Sequence, residues 1–156
     1  MKLLISFDNR QSLIIPNINR LESLVDFAVN YYLNLSSLEF DANLLLDIHF
    51  VDTEEIKSLN ERFMGKSKPT DVLSFPVDDL SEISTLPALL GDIFICPEIA
   101  SANPAHNDLE NELKLLLVHG ILHIFGMDHE IDLEAEEMES LESEILSFFD
   151  AQIKNR

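Results

Sequence analysis

The stretch from Leu109 to Phe125 is apolar around most of its circumference, so it reads as a helix that must be buried on nearly every side. Such a helix has to lie at the centre of whatever the chain folds into, with other elements packed around it. Yet it carries two histidines, His119 and His123, one helical turn apart, and Gly126 marks its end. Side chains at i and i+4 share a face, with Cβ atoms about 5–6 Å apart. Two imidazoles at that spacing can both reach one metal ion at about 2.0–2.1 Å. A glycine that adopts positive φ lets the chain double back after the helix and bring His129 round as a third ligand. Three histidines fill three corners of a tetrahedron and leave the fourth for water or substrate, the pattern of a catalytic zinc rather than a structural one.

The elements around this helix follow from periodicity. The first seven residues read as a short strand, and Leu21, Leu24, Val25, Ala28 and Val29 recur at helical spacing after Pro16. Leu44 to Val51 alternates, with Leu44, Leu46, Ile48 and Phe50 on one face and Asp47 and His49 on the other, as a half-buried strand does. Asp52-Thr53-Glu54-Glu55 supplies an N-cap and first-turn acids for a helix to about Phe63. Asp71 to Phe75 and Gly91 to Cys96 read as strands, with an exposed acidic loop from Val77 to Ala88 between them. The chain ends in an acidic helix whose stripe is Leu133, Met138, Leu141, Ile145 and Phe149, with its acids read as a solvated face. The expected fold is α/β (α+β): a single layer of small, mixed four-stranded sheet covered by about five helices, with the central buried helix carrying the metal ligands. The span 1–156 fits a single domain.

Composition narrows the function classes. The net charge is −19, from 29 acidic and 10 basic residues, so most of the surface repels a polyanion. Nine acids and no base lie between Glu130 and Asp150, whereas Lys57, Arg62, Lys66 and Lys68 fall within twelve residues. A nucleic acid would have to be met at that basic segment or delivered by a partner, which makes Arg62, Lys66 and Lys68 the candidate substrate-binding residues. The lone Cys96 cannot form an internal disulfide and is expected in the core. No signal peptide or membrane-length apolar run is visible, and a cytoplasmic protein is expected. His49 reads as a surface or partly buried residue and His106 as a polar loop residue.

The offsets of the three histidines also occur in the HExxHxxGxxH metalloproteases, where the residue after the first His is the glutamate general base. Here that residue is Gly120, which has no side chain to take a proton. Activation of the water then falls to the metal itself, to another residue or to the substrate. Glu112, seven residues before His119, and Asp128, beside His129, are candidates for the base or for a residue supporting the metal ligands.

The string His119-Gly120-Ile121-Leu122-His123-Ile124-Phe125-Gly126-Met127-Asp128-His129 resembles the HGxLHLxGYDH signature of the YbeY endoribonucleases. The resemblance extends to Pro69-Thr70-Asp71-Val72-Leu73-Ser74-Phe75-Pro76, to Gly91-Asp92-Ile93 and to Glu112-Leu113 with Leu116-Leu117-Val118. It implies a zinc-dependent, single-strand-specific endoribonuclease, with one Zn²⁺ per chain, involved in 16S ribosomal RNA 3′-end maturation and ribosome quality control. Its implied partners are ribosomal RNA and the small ribosomal subunit with its proteins, with neither DNA nor membrane. Where the family usually has an arginine lining the substrate cleft, this chain has Met64. Two other readings fit the histidines: a metallohydrolase of a non-RNA substrate, and a ribosome-assembly factor whose zinc is structural.

Overall fold

The computed structural model describes residues 2–77, 87–103, 108–128 and 130–155. Its elements run β1 (Leu3–Asn9), α1 (Ile18–Leu35), β2 (Leu44–Phe50), α2 (Thr53–Met64), β3 (Val72–Pro76), β4 (Ala88–Ile95), α3 (Pro97–Ser101), α4 (Leu109–Ile124) and α5 (Asp132–Lys154). The four strands form one mixed sheet in the order β1-β2-β4-β3. β1–β2 and β2–β4 are parallel, and β3 is antiparallel to β4 at the edge opposite β1.

The alternation of β2 is carried through to burial. Leu44, Leu46, Ile48 and Phe50 are fully buried, while Leu45, Asp47 and His49 are half-buried on the opposite face. The apolar face, with Ile93 and Ile95 of β4, packs into one core with α1 and α4. Removing a side chain such as Ile93 or Leu117 from water contributes about 1.5–3 kcal/mol each, so this layer dominates the stability. On the other face Val51, Ile56, Leu73 and Cys96 form a smaller cluster under α2. α2 starts at Asp52, whose side chain accepts from the Glu55 N–H at 2.8 Å. As its all-round apolar composition requires, α4 is buried from Leu113 through Ile124 apart from a few positions, His119 and His123 among them.

Four local features differ from the sequence reading. β4 starts at Ala88, inside the expected loop, of which residues 78–86 lie outside the described residues. Pro97 stops β4 and at the same time opens the short helix α3, because its fixed φ suits a first helical position. Leu133 is exposed rather than part of the α5 stripe. Finally, Glu142, read as part of a solvated acidic face, is buried. Helix phase explains the last two: at about 100° per residue, Leu133 lies about 140° round the helix from Met138, and Glu142 only about 40°. Among the described residues no helix is long and apolar enough to cross a membrane.

Candidate functional site

α4 ends in a Schellman motif. The Gly126 N–H donates to the His123 carbonyl at 2.9 Å and the Met127 N–H to the Leu122 carbonyl at 3.0 Å, with Gly126 at φ 95°. This turns the chain sharply, so that Asp128 comes to line the same cleft as His119 and His123. His129 lies outside the described residues. The cleft has a volume of about 870 Å³. Its walls are the end of α4, the edge strand β3 and the loop between α2 and β3.

His119 and His123 meet edge to face, their ring centroids 4.5 Å apart and their planes at 79°. Their Nε2 atoms are 3.0 Å apart. Two nitrogens bound to one tetrahedral ion at 2.0–2.1 Å each would be about 3.3 Å apart, so this pair is within a few tenths of an ångström of a two-ligand arrangement. The other ring nitrogen of His119, Nδ1, lies 2.5 Å from Glu142 Oε1 on α5. An imidazole held by a carboxylate on one nitrogen and presenting the other is the usual arrangement of a metal-binding histidine. Among the described residues no group of three His, Cys, Asp or Glu side chains is placed to hold a metal, so a full ligand set needs a donor beyond them, as His129 would be.

Gly120 is required by packing. A Cβ there would lie 3.0 Å from both Ile93 Cγ2 and Ser74 Oγ, so position 120 is pressed against the sheet and does not face the cleft. The Ser74 hydroxyl donates to the Gly120 carbonyl at 3.2 Å, which ties β3 to α4 at this point. A glutamate in the metalloprotease position would therefore be driven into β3 and β4.

The other candidates separate. Lys66 and Lys68 line the cleft. Arg62 does not; its guanidinium lies over the ring of Phe63, 5.9 Å from the centroid. Met64 does line the cleft, so the positive charge on that wall comes from the two lysines of the loop. Asn60, itself buried, holds that loop: its Nδ2 donates to the Lys68 carbonyl at 2.8 Å, and the Lys66 N–H reaches the Asn60 carbonyl at 3.3 Å. Glu112 is buried on α4 and is not among the residues lining the cleft, whereas Asp128 is. On the opposite face of the sheet His49 is half-buried, with Nδ1 3.2 Å from Asp8 Oδ2, Nε2 2.8 Å from Asp92 Oδ1 and its ring stacked on Phe94. Sequence reasoning missed Glu142 and Asn60. The available signal for Glu142 was its place between Met138, Ile145 and Phe149, where an acid interrupts an otherwise buried stripe.

These features define a mixed α/β layer protein with a histidine pair in an open cleft at the sheet edge. The sequence model of endoribonuclease YbeY matches residues 6–150. The chain is 43% identical over 117 residues to endoribonuclease YbeY of Corynebacterium jeikeium, covering 69% of this chain and 64% of that one. With endoribonuclease YbeY of a Chelativorans species it shares 48% over 103 residues, 65% of this chain and 63% of the other. The chain thus spans just under two thirds of the length of these curated relatives. The solution structure of TM1509 from Thermotoga maritima is similar at a TM-score of 0.59 and 26% identity, covering 98% of this chain and 92% of that one. The chain belongs to the YbeY endoribonuclease family.

Proposed function

We propose that this protein is a zinc-dependent endoribonuclease that cleaves unpaired RNA, acting in the cytoplasm on the 3′ end of small-subunit ribosomal RNA and in ribosome quality control. The observation that carries the reading is the convergence of His119 Nε2 and His123 Nε2 in a cleft that also contains Lys66 and Lys68. Family membership supplies the reaction class. His119, His123 and His129 would hold the ion, and zinc when bound supplies Lewis-acid polarisation of a phosphodiester oxygen.

The remaining chemistry belongs to the chain. Lys66 and Lys68 bind the phosphates flanking the scissile bond, point charges suited to a ligand that is otherwise repelled by a net charge of −19. Asn60 keeps them at the cleft by holding the loop backbone. Asp128 is the better placed of the two acids to exchange a proton with the reacting groups, because it lines the cleft and Glu112 does not. It takes the proton from the nucleophile, water or the ribose 2′-hydroxyl, as the P–O bond to the leaving oxygen breaks and that oxygen is protonated from solvent. An open cleft admits a single strand that can bend into it, which favours unpaired over duplex substrate.

The test is cleavage of matched unpaired and duplex RNAs by purified protein, before and after chelation and zinc restoration, with His123→Ala alongside. Cleavage of the unpaired RNA, lost on chelation, regained with zinc and absent from a folded His123→Ala protein, is expected. Cleavage undiminished in His123→Ala, or indifferent to the chelator, overturns the proposal.

A further inference from the structure

The acid that most needs explaining is Glu142. It stands in the buried stripe of α5 with Met138, Ile145 and Phe149, and is only 6% exposed. Burying a carboxylate in an apolar seam is costly unless a hydrogen-bonding partner compensates it. Its partner here is the ring nitrogen Nδ1 of His119, on the neighbouring helix. From this geometry we propose that Glu142 is a positioning residue: it fixes His119 with the proton on Nδ1 and the lone pair on Nε2, aimed at His123, and thereby raises the affinity of the histidine pair for a divalent cation. The proposal rests on the metal reading given above.

The chemistry constrains the tautomer. A carboxylate oxygen 2.5 Å from Nδ1 favours the tautomer in which that nitrogen is the donor. A neutral imidazole protonated on Nδ1 has its lone pair on Nε2, the atom 3.0 Å from His123 Nε2. Without the carboxylate this preference is lost, and in the other tautomer an Nε2–H would point at the position a cation must occupy.

The carboxylate is also held in place by the helix packing. A second polar link joins the same two helices where Lys114 Nζ meets Asp150 Oδ1 at 3.3 Å. From Lys114 to His119 the chain advances along α4, while from Asp150 to Glu142 it retreats along α5, so the two links belong to one antiparallel register. Met138 and Ile145, fully buried on either side of Glu142, keep α5 seated on the core. The helix that read as a solvated acidic face therefore reaches into the cation site from behind.

Zinc affinity, measured by competition with a chromophoric chelator, tests this in wild type, Glu142→Gln, Glu142→Ala and Lys114→Met, with thermal unfolding of each metal-free protein. Loss of a carboxylate partner to a ligating histidine is expected to weaken binding about 10–100-fold, with Gln milder than Ala because its carbonyl still accepts. Lys114→Met, which breaks the other interhelical link, should lower the melting temperature yet leave zinc affinity unchanged. In the metal-free proteins, ¹⁵N–¹H correlation spectra of the His119 ring should show the proton on Nδ1 in wild type and a shift towards Nε2 in Glu142→Ala. Glu142 variants that bind zinc as wild type does, differing only in melting temperature, overturn the proposal and leave the metal reading intact. A wild-type protein without affinity for zinc overturns both.

Discussion

Gly120→Ala sets two effects of known sign against each other. An alanine is favoured over glycine inside a helix by about 1 kcal/mol, so propensity alone predicts a more stable protein. The added Cβ, however, would lie 3.0 Å from Ile93 Cγ2, 3.0 Å from Ser74 Oγ and 3.2 Å from Ile93 Cδ1. Ordinary carbon contacts are about 3.5–4.0 Å, so two side chains must retreat by a few tenths of an ångström or more. Ile93 has nowhere to go: it is fully buried on β4, a strand flanked by β2 and β3. Ser74 is committed to the Gly120 carbonyl. Overpacking of this kind costs about 1–3 kcal/mol, which outweighs the helix gain and leaves a net loss of up to about 2 kcal/mol. Urea unfolding of the metal-free protein measures the difference directly, and the melting temperature should fall by about 2–4 °C per kcal/mol for a chain of this size. An alanine variant as stable as wild type, or more so, would refute the claim that the sheet presses on α4 at this point. Gly120→Glu should fail more severely, and should not create a metalloprotease-type base.

Three further outcomes are expected. Lys66→Ala and Lys68→Ala should each weaken binding to single-stranded RNA and reduce the steepness of its salt dependence by about one, whereas Arg62→Ala should change it less; equal slopes for all three in filter-binding titrations would count against the cleft assignment. Gly126→Ala meets no atom within 4 Å but imposes a side chain on φ 95°, so the denaturation midpoint should drop by an amount corresponding to about 1–2 kcal/mol of backbone strain alone. The hydrogen bond from Tyr31 to Glu144 raises the phenol above its ordinary value, with desolvation and the nearby negative charge adding to it. The folded state thus favours the neutral phenol: this contribution is present below the unfolded value of 10.0 and is lost as pH rises through the folded value. Ultraviolet titration should show one of the two tyrosines ionising earlier in Glu144→Gln, and an unchanged curve would remove the interaction.

Much of the architecture is legible in the sequence because it depends on period alone. The alternation of Leu44 to Phe50 defines both faces of β2, and the all-round apolar character of α4 makes it central. Gly126 is readable as a stop because the left-handed turn it makes suits glycine. Phase is harder to read than period. In α5 the run of acids conceals that Glu142 shares a face with Met138 and Ile145 while Leu133 does not. The basic segment hides a similar distinction, since Arg62 still lies within α2 while Lys66 and Lys68 follow it, and only the latter two reach the cleft. Contacts between distant segments leave no local trace at all. Nothing near His49 in sequence announces Asp8 and Asp92, which strands β1 and β4 deliver to it.

The orientation of α4 has a consequence for how a ligand approaches. His119 and His123 lie towards its carbonyl end, where the aligned peptide dipoles amount to about half a negative charge. A small cation is drawn to that pole from any direction. A polyanion is repelled by it and by Asp71, Asp128 and Glu130 on the same rim, and among the described residues that line the cleft Lys66 and Lys68 supply the positive charge. On the function proposed above, a charged strand is expected to approach this cleft with its backbone against Lys66 and Lys68.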